Sequence, residues 1–228
     1  MNKKFLLILI AGFYFSFAQA QEYSFGVKGG ANYNIGGEIT SESSGGIFTV
    51  GTYQADSKIG FHGGVFFQLK FGKILIRPEA YYNTLETEFP FPSKVASFSV
   101  DRLSIPLLVG YNIYGPIDIY AGPAYQSVIT STLEGTQPTD QEIVVQNSPL
   151  SAQAGVKFNI GRFELDLRYD HSLATKEPQD IDIRNGEYGI NLSREDNDMR
   201  LNQILFSVAF KIGDSEKAGR RRGGNCYF

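Results

Sequence analysis

Eight segments of this chain alternate with a period of two, and in every one of them one face carries no charge. They run over roughly 22–34, 58–71, 73–86, 98–114, 116–132, 147–160, 162–175 and 200–212. Period two is the geometry of a strand, whose successive side chains point to opposite faces. No stretch carries a convincing 3.6-residue stripe. Three connections are tight and built on glycine, at Phe71-Gly72-Lys73, Tyr114-Gly115-Pro116 and Ile160-Gly161-Arg162. Four are long and polar, over about 35–57, 87–97, 133–146 and 176–199. Short turns at one end and long loops at the other describe an up-and-down barrel.

The uncharged faces include Val27, Val65, Leu107, Val156, Leu167 and Val208 in mid-strand. The opposite faces carry Lys28, His62, Lys70, Arg77, Glu79, Arg102, Asp118, Lys157, Glu164, Asp166, Arg168, Asp170 and Lys211. A soluble lipocalin-like barrel and a membrane barrel would both show this alternation, with inside and outside exchanged. The aromatic positions separate the two. On the uncharged face Tyr23, Phe71, Tyr111, Phe158, Phe163 and Phe210 lie near the tight turns, and Tyr33, Phe61, Tyr82, Tyr125 and Tyr169 near the long loops. Two aromatic rings with aliphatic and small residues between them have the form of interfacial belts. The strands exceed the nine to eleven residues that cross a bilayer at a tilt. The expected fold is all-β, an eight-stranded antiparallel up-and-down transmembrane β-barrel. Pro78, Pro106 and Pro123 fall inside strands, where each is expected to mark a bulge or local bend. Gly29-Gly30 and Gly63-Gly64 would allow tight curvature.

The ends of the chain complete the organisation. Lys3 and Lys4, the apolar run Phe5 to Phe17 and Ala18-Gln19-Ala20 form the pattern of a secretory signal over 1–20, with Gln21 as the mature N-terminus. The barrel domain is expected over 21–213, followed by a basic tail over 214–228 that includes Arg220, Arg221, Arg222 and Cys226. The formal charge of −3 becomes −5 once Lys3 and Lys4 are removed, which suggests no nucleic-acid partner. A single cysteine in an exported chain excludes a disulfide scaffold.

Four stretches carry a resemblance: "YSFGVKGGANYN" (23–34), "ILIRPEAYYN" (74–83), "DRLSIPLLVGYNIYGPIDIYAGPAY" (101–125) and "GVKFNIGRFELDLRYDHSL" (155–173). With GVKGG in the first strand, PE in the third, IPLL in the fourth and AGP in the fifth, the chain resembles the outer-membrane β-barrel family that includes PorT-like proteins. The resemblance implies the barrel and the outer membrane of a Gram-negative bacterium as its location. It implies no functional residue, although one named relative serves a secretion and gliding apparatus.

No catalytic, cofactor-binding or metal motif stands out. Asp170, His171 and Ser172 are sequential, so they point to alternate faces and do not make a triad. Glu164, Asp166 and Asp170 share a face and are oxygen ligands of the kind calcium takes, but Arg168 is interleaved with them. "EDND" (195–198) and "DIDIRNGE" (180–187) lack a calcium-loop spacing. The interior of an eight-stranded barrel is just wide enough for side chains. Arg77, Glu79, Glu164, Asp166 and Arg168 are therefore expected to form a lumenal charge network, with Arg77 level with Asp166 and Glu79 level with Arg168. The expected function is a non-enzymatic envelope protein with long extracellular loops. Its partners would be outer-membrane lipid and other envelope proteins, and it would need no cofactor. A barrel binding a small hydrophobic ligand and a small outer-membrane enzyme are the other readings.

Overall fold

The computed structural model describes residues 22–41, 51–136, 143–145, 148–175, 181–183, 187–190, 192–193 and 198–215. Residues 1–20, where a secretory signal is expected, the tail beyond Ser215 and most of the EDND stretch lie outside these residues. Eight long strands form the wall: β1 (Glu22–Ile35), β2 (Ile59–Phe71), β3 (Ile74–Pro90), β4 (Val95–Tyr114), β5 (Ile117–Leu133), β6 (Leu150–Ile160), β7 (Phe163–Ser172) and β8 (Asn202–Asp214). Each is antiparallel to its sequence neighbours, and β1 pairs with β8 from Ser24↔Asp214 to Ile35↔Asn202, which closes the ring. The architecture is an eight-stranded up-and-down barrel. The tight turns hold Gly72, Gly115 and Gly161 at φ of 61°, 51° and 64°, the left-handed region that lets two strands reverse with almost no linker.

The polarity is that of a membrane barrel. Val27, Val65, Leu107, Val156, Leu167 and Val208 are exposed on the outer wall, while Lys28, Arg77, Glu79, Arg102, Glu164, Asp166 and Arg168 are buried within it. A soluble barrel would have these two sets exchanged. The eleven aromatics assigned to the two rings all lie on the outer face, and Phe163 and Phe210 meet across β7 and β8 with ring centroids 5.2 Å apart.

Close inner packing depends on missing side chains. A Cβ at Gly155 would lie 2.5 Å from the Tyr120 hydroxyl oxygen and 2.6 Å from the Leu167 carbonyl oxygen. Glycine there lets the Tyr120 ring lie against the wall of β6, as aromatic side chains cover strand glycines elsewhere.

Two expectations fail here. The first is the loop over 87–97. Strand β3 continues to Pro90 and β4 begins at Val95, leaving only 91–94 as the turn. The pairing Leu85↔Val100 continues through Thr87↔Phe98 to Pro90↔Val95. Pro90 and Pro92 read as breakers, but Leu85, Thr87 and Phe89 keep the phase of the lumenal residues below them, and that phase decided the structure. The second is the bulge, one of the two features expected at the prolines. The register shifts lie at Phe25/Gly26, Asp101/Arg102 and Asn112/Tyr114, not at a proline. Pairing lapses between Phe66↔Glu79 and Leu69↔Ile76, between Pro78↔Leu107 and Tyr81↔Ser104, and between Pro106↔Ala124 and Val109↔Ala121. The register is the same on both sides of each lapse. A missing N–H opens the ladder locally without inserting a residue.

Above the barrel, β3, β4 and β5 project as a three-stranded sheet. Its inner face carries Leu85, Phe89, Phe98, Val100 and Leu133, which pack with Ile39, Ile143, Val145, Ile181, Ile183, Tyr188, Ile190, Met199 and Leu201. All four long connections contribute to this second, apolar core. Its outer edge is held by Lys94, which donates to Glu134 at 2.9 Å and to the Tyr188 hydroxyl at 3.2 Å and stands 4.9 Å above the Tyr188 ring. The described parts of the connections therefore form a folded cap.

Leu167 is half-exposed on the outer face, opposite Val156 and Phe206. Leu167→Arg should cost about 2–4 kcal/mol at the bilayer midplane. Urea unfolding in vesicles, followed by far-UV circular dichroism because the chain has no Trp, measures it; parent-like stability would overturn the assignment of that face.

The cap should be sensitive to acid. Hydrogen bonding to Lys94 holds the Glu134 carboxyl below its usual value, and hydrogen bonds to Glu134 and Tyr188 raise the Lys94 ammonium above its own. The Glu134 contribution is complete above the unfolded-state value and is lost as pH falls through the lowered one; the Lys94 contribution is lost only as pH rises through the raised one. Protection factors of the amides around Tyr188 should hold steady at neutral pH and fall once acid protonates Glu134. Lys94→Met should abolish that pH dependence.

Candidate functional site

The lumen is filled by side chains on alternate positions of all eight strands. Glu79 on β3 is its centre. It accepts from Arg168 Nη1 at 2.8 Å and Nη2 at 3.1 Å, from Arg77 Nε at 2.6 Å and from Lys28 Nζ at 3.0 Å. Asp166 on β7 is held by Arg168 Nη2 at 2.8 Å, by Lys28 at 3.4 Å and by the Tyr120 hydroxyl. Nearer the tight turns, Glu164 accepts from Arg77 Nη1 at 2.6 Å and faces Lys211 at 3.2 Å and Lys157 at 3.5 Å. Lys157 also reaches Asp118 at 3.4 Å and Gln68 at 2.5 Å. Toward the cap, Asp170 accepts from Gln126 at 2.7 Å and Gln203 at 2.8 Å, with Arg102 at 3.5 Å. The Arg77 guanidinium lies 3.8 Å from the Phe66 ring centroid.

All five residues expected in a lumenal network are buried and in mutual contact, directly or through one partner. Glu79 meets Arg168. Arg77 does not meet Asp166; it reaches Glu164, two positions earlier on β7. Strand stagger displaces the facing walls, so counting residues from the turns misplaces the depth by one inward position. Two pairs lie within a single strand, Arg77 with Glu79 and Asp166 with Arg168, because residues two apart share a face. Lys28, Lys157, Lys211, Arg102 and Asp170 also belong to this interior. The alternation assigned them to the charged face but could not supply their partners.

The histidines do not assemble chemistry. His62 Nε2 is 2.7 Å from Ser207 Oγ inside the barrel. His171 is exposed on the outer face, parallel to Tyr169 at 6.1 Å, while Asp170 points into the lumen. Among the described residues no group of three or more His, Cys, Asp and Glu is arranged to hold a metal ion. The lumenal carboxylates instead have cationic partners.

The arrangement joins opposite walls electrostatically. Six buried cations, Lys28, Arg77, Arg102, Lys157, Arg168 and Lys211, stand among five buried carboxylates, Glu79, Asp118, Glu164, Asp166 and Asp170. A buried charge is tolerable only when paired, and removing one partner leaves the other with its full desolvation cost. Glu79→Ala would deprive Lys28, Arg77 and Arg168 of a shared carboxylate. It should destabilise the barrel by about 3–5 kcal/mol in the same unfolding assay. Adding Lys28→Met should recover part of that loss, and strictly additive losses would contradict the coupling.

Solved structures with similar folds include the Neisserial surface protein A, at 11% identity over 85% of this chain and 100% of that one, with a TM-score of 0.41. The outer membrane protein OprG from Pseudomonas aeruginosa is 13% identical over 85% of this chain and 96% of its own, with a TM-score of 0.47. The attachment invasion locus protein Ail of Yersinia pestis, solved with the heparin analogue sucrose octasulfate, is 13% identical over 85% and 100%, with a TM-score of 0.41. No curated protein matches the sequence. The model of the outer membrane protein beta-barrel domain matches residues 17–175. With the closed eight-stranded wall and its apolar exterior, that match shows that the chain belongs to the outer membrane protein beta-barrel domain family.

Proposed function

We propose that this protein is a PorT-like, non-enzymatic component of the cell envelope whose barrel is an anchor and not a pore, and whose cap is its contact surface. The observation that carries the reading is the double filling of the interior. Glu79 gathers three cations across the lumen, and above it the apolar cap core of Phe89, Phe98, Ile183 and Tyr188 occupies the mouth. A charged lumen is also a poor host for a hydrophobic ligand, because an apolar guest would have to break buried ion pairs and leave their charges without compensation. The GVKGG, PE, IPLL and AGP stretches support the PorT-like placement. The secretory signal over 1–20 supports export. The apolar core shared by the described cap residues supports contact with other envelope proteins, since an ordered surface loses less entropy on binding.

The parent protein in planar bilayers should show no steady conductance. A stable porin-like current would sink the plugged-anchor reading. Photo-crosslinkers on the outer face of the cap sheet, at Ser97 and Thr132, should capture a defined envelope protein in intact cells, whereas the same group at lipid-facing Val65 should not.

A further inference from the structure

A cleft of about 400 Å³ opens on the long-loop side of the barrel, outside the lumen and outside the cap core. One wall comes from the first long connection, where Glu38–Ser41 and Gly51–Gln54 pair as a short ribbon. Ile39 and Tyr53 turn toward the cap core, so the opposite face of the ribbon carries Glu38 and Gln54. Glu38 also bridges to Asp198, each donating its N–H to the other's carbonyl at 2.7 and 2.8 Å. Residues directly opposite in an antiparallel pair share a face. Gln54, Glu38 and Asp198 therefore stand in one row along the cleft. The facing wall is the end of β7 and the start of β8, with His171, Ser172 and Asn202. Gly36 and Gly37, at φ of 108° and 102°, also line it, and a Cβ on Gly36 would come within 2.9 Å of the Arg200 carbonyl oxygen. Bare backbone is what that side of the cleft has room for.

The hydrogen bonds already made narrow the ligand. Among the described residues Arg200 is the one lysine or arginine lining the cleft, and three of its five N–H donors are taken: Nε and Nη2 donate to Asp198 at 2.8 and 2.5 Å, and Nη1 to the Ala174 carbonyl at 2.9 Å. Asn202 Oδ1 accepts from the Ser172 N–H at 2.9 Å, and Ser172 Oγ from the Ala174 N–H at 3.3 Å. The side chains of Glu38, Gln54 and His171 make no hydrogen bond to any other described residue. An anion meets the Glu38 carboxylate and a guanidinium whose charge is already paired with Asp198. A metal finds one uncommitted carboxylate and one imidazole, too few ligands. An apolar guest finds only the Ala55 methyl. A carboxylate, an amide and an imidazole, all planar and facing across a cleft, match the paired donors and acceptors of vicinal hydroxyls. The volume lies within the range of small-molecule sites. His171 follows Tyr169 by two residues on the same outer face, about 7 Å farther along the strand, where the wall leaves the lipid.

We propose that this cleft binds a neutral saccharide, either free or carried as the headgroup of an outer-leaflet glycolipid. The two sources present the same hydroxyl chemistry. The test uses the full mature chain in lauryldimethylamine oxide, a detergent without sugar, and follows the side-chain resonances of Gln54 and His171. N-acetylglucosamine and maltose are the probes, with spermidine and inorganic phosphate as charged controls. At least one sugar should give saturable shifts with a Kd on the order of 1 mM, as a shallow wet site allows. Gln54→Ala and Glu38→Gln should each weaken it about three- to tenfold, the worth of one hydrogen bond. Both positions lie on the outer ribbon, so the unshifted lumenal resonances report that the barrel is intact. Absence of saturable shifts with both sugars, tighter binding of spermidine or phosphate than of either sugar, or shifts indifferent to both substitutions would overturn the proposal. Repeating the titration in nanodiscs with and without glycolipid separates the sources: glycolipid that shifts the same resonances and excludes the free sugar is the ligand, and otherwise the free saccharide is.

Discussion

Closure of β1 against β8 is the constraint on which the rest of the structure depends. In hydrocarbon no water satisfies a backbone N–H or C=O, so a sheet can span a bilayer only as a ring without edges. Eight strands make the smallest common ring, and its interior admits side chains and little else. Residues pointing inward then find most of their hydrogen bonds among one another. The contacts around Glu79 follow from that geometry: with Lys28, Arg77 and Arg168 confined to one narrow space, a shared carboxylate is the arrangement that leaves no cation bare. Glycine at 155 and tyrosine at 120 serve the same end, since the ring needs the space a side chain would fill if its hydroxyl is to reach Asp166.

The inner face of β3 changes character along its length, and the change locates the bilayer. From Arg77 to Asn83 it is polar and buried; from Leu85 to Phe89 it is mostly apolar and equally buried. The outer face changes in the opposite sense, from Ala80 and Tyr82 to Glu86 and Glu88, with Lys58 2.8 Å from Glu88. Below that line the strand is solvated by lipid and must hide its charges inside. Above it water is the solvent, and the ordinary rule of an apolar core returns. One strand thus serves two folding environments without breaking its pairing. The proline lapses lie in the lower part, where three neighbouring strands each lack one N–H and the unchanged register on both sides keeps the wall continuous.

Much of this was legible in the chain itself. Strict alternation in eight segments, an uncharged face on each and the placement of Tyr33, Tyr82, Tyr125 and Tyr169 determined the strand number, the direction of every side chain and the choice of lipid as outer solvent, because a side-chain period of two leaves no freedom once one face is assigned. The same rule put Arg77, Glu79, Asp166 and Arg168 on inward faces but not which of them would pair. Only the tertiary structure decided what meets across the barrel. Stagger between facing walls sends Arg77 to Glu164 and not to Asp166, and no local pattern encodes that offset. The cap was hidden for a related reason: Ile39, Phe89, Ile143, Ile183 and Met199 come from four separate connections, each too polar on its own to suggest a core, and only closure of the ring brings them into one place.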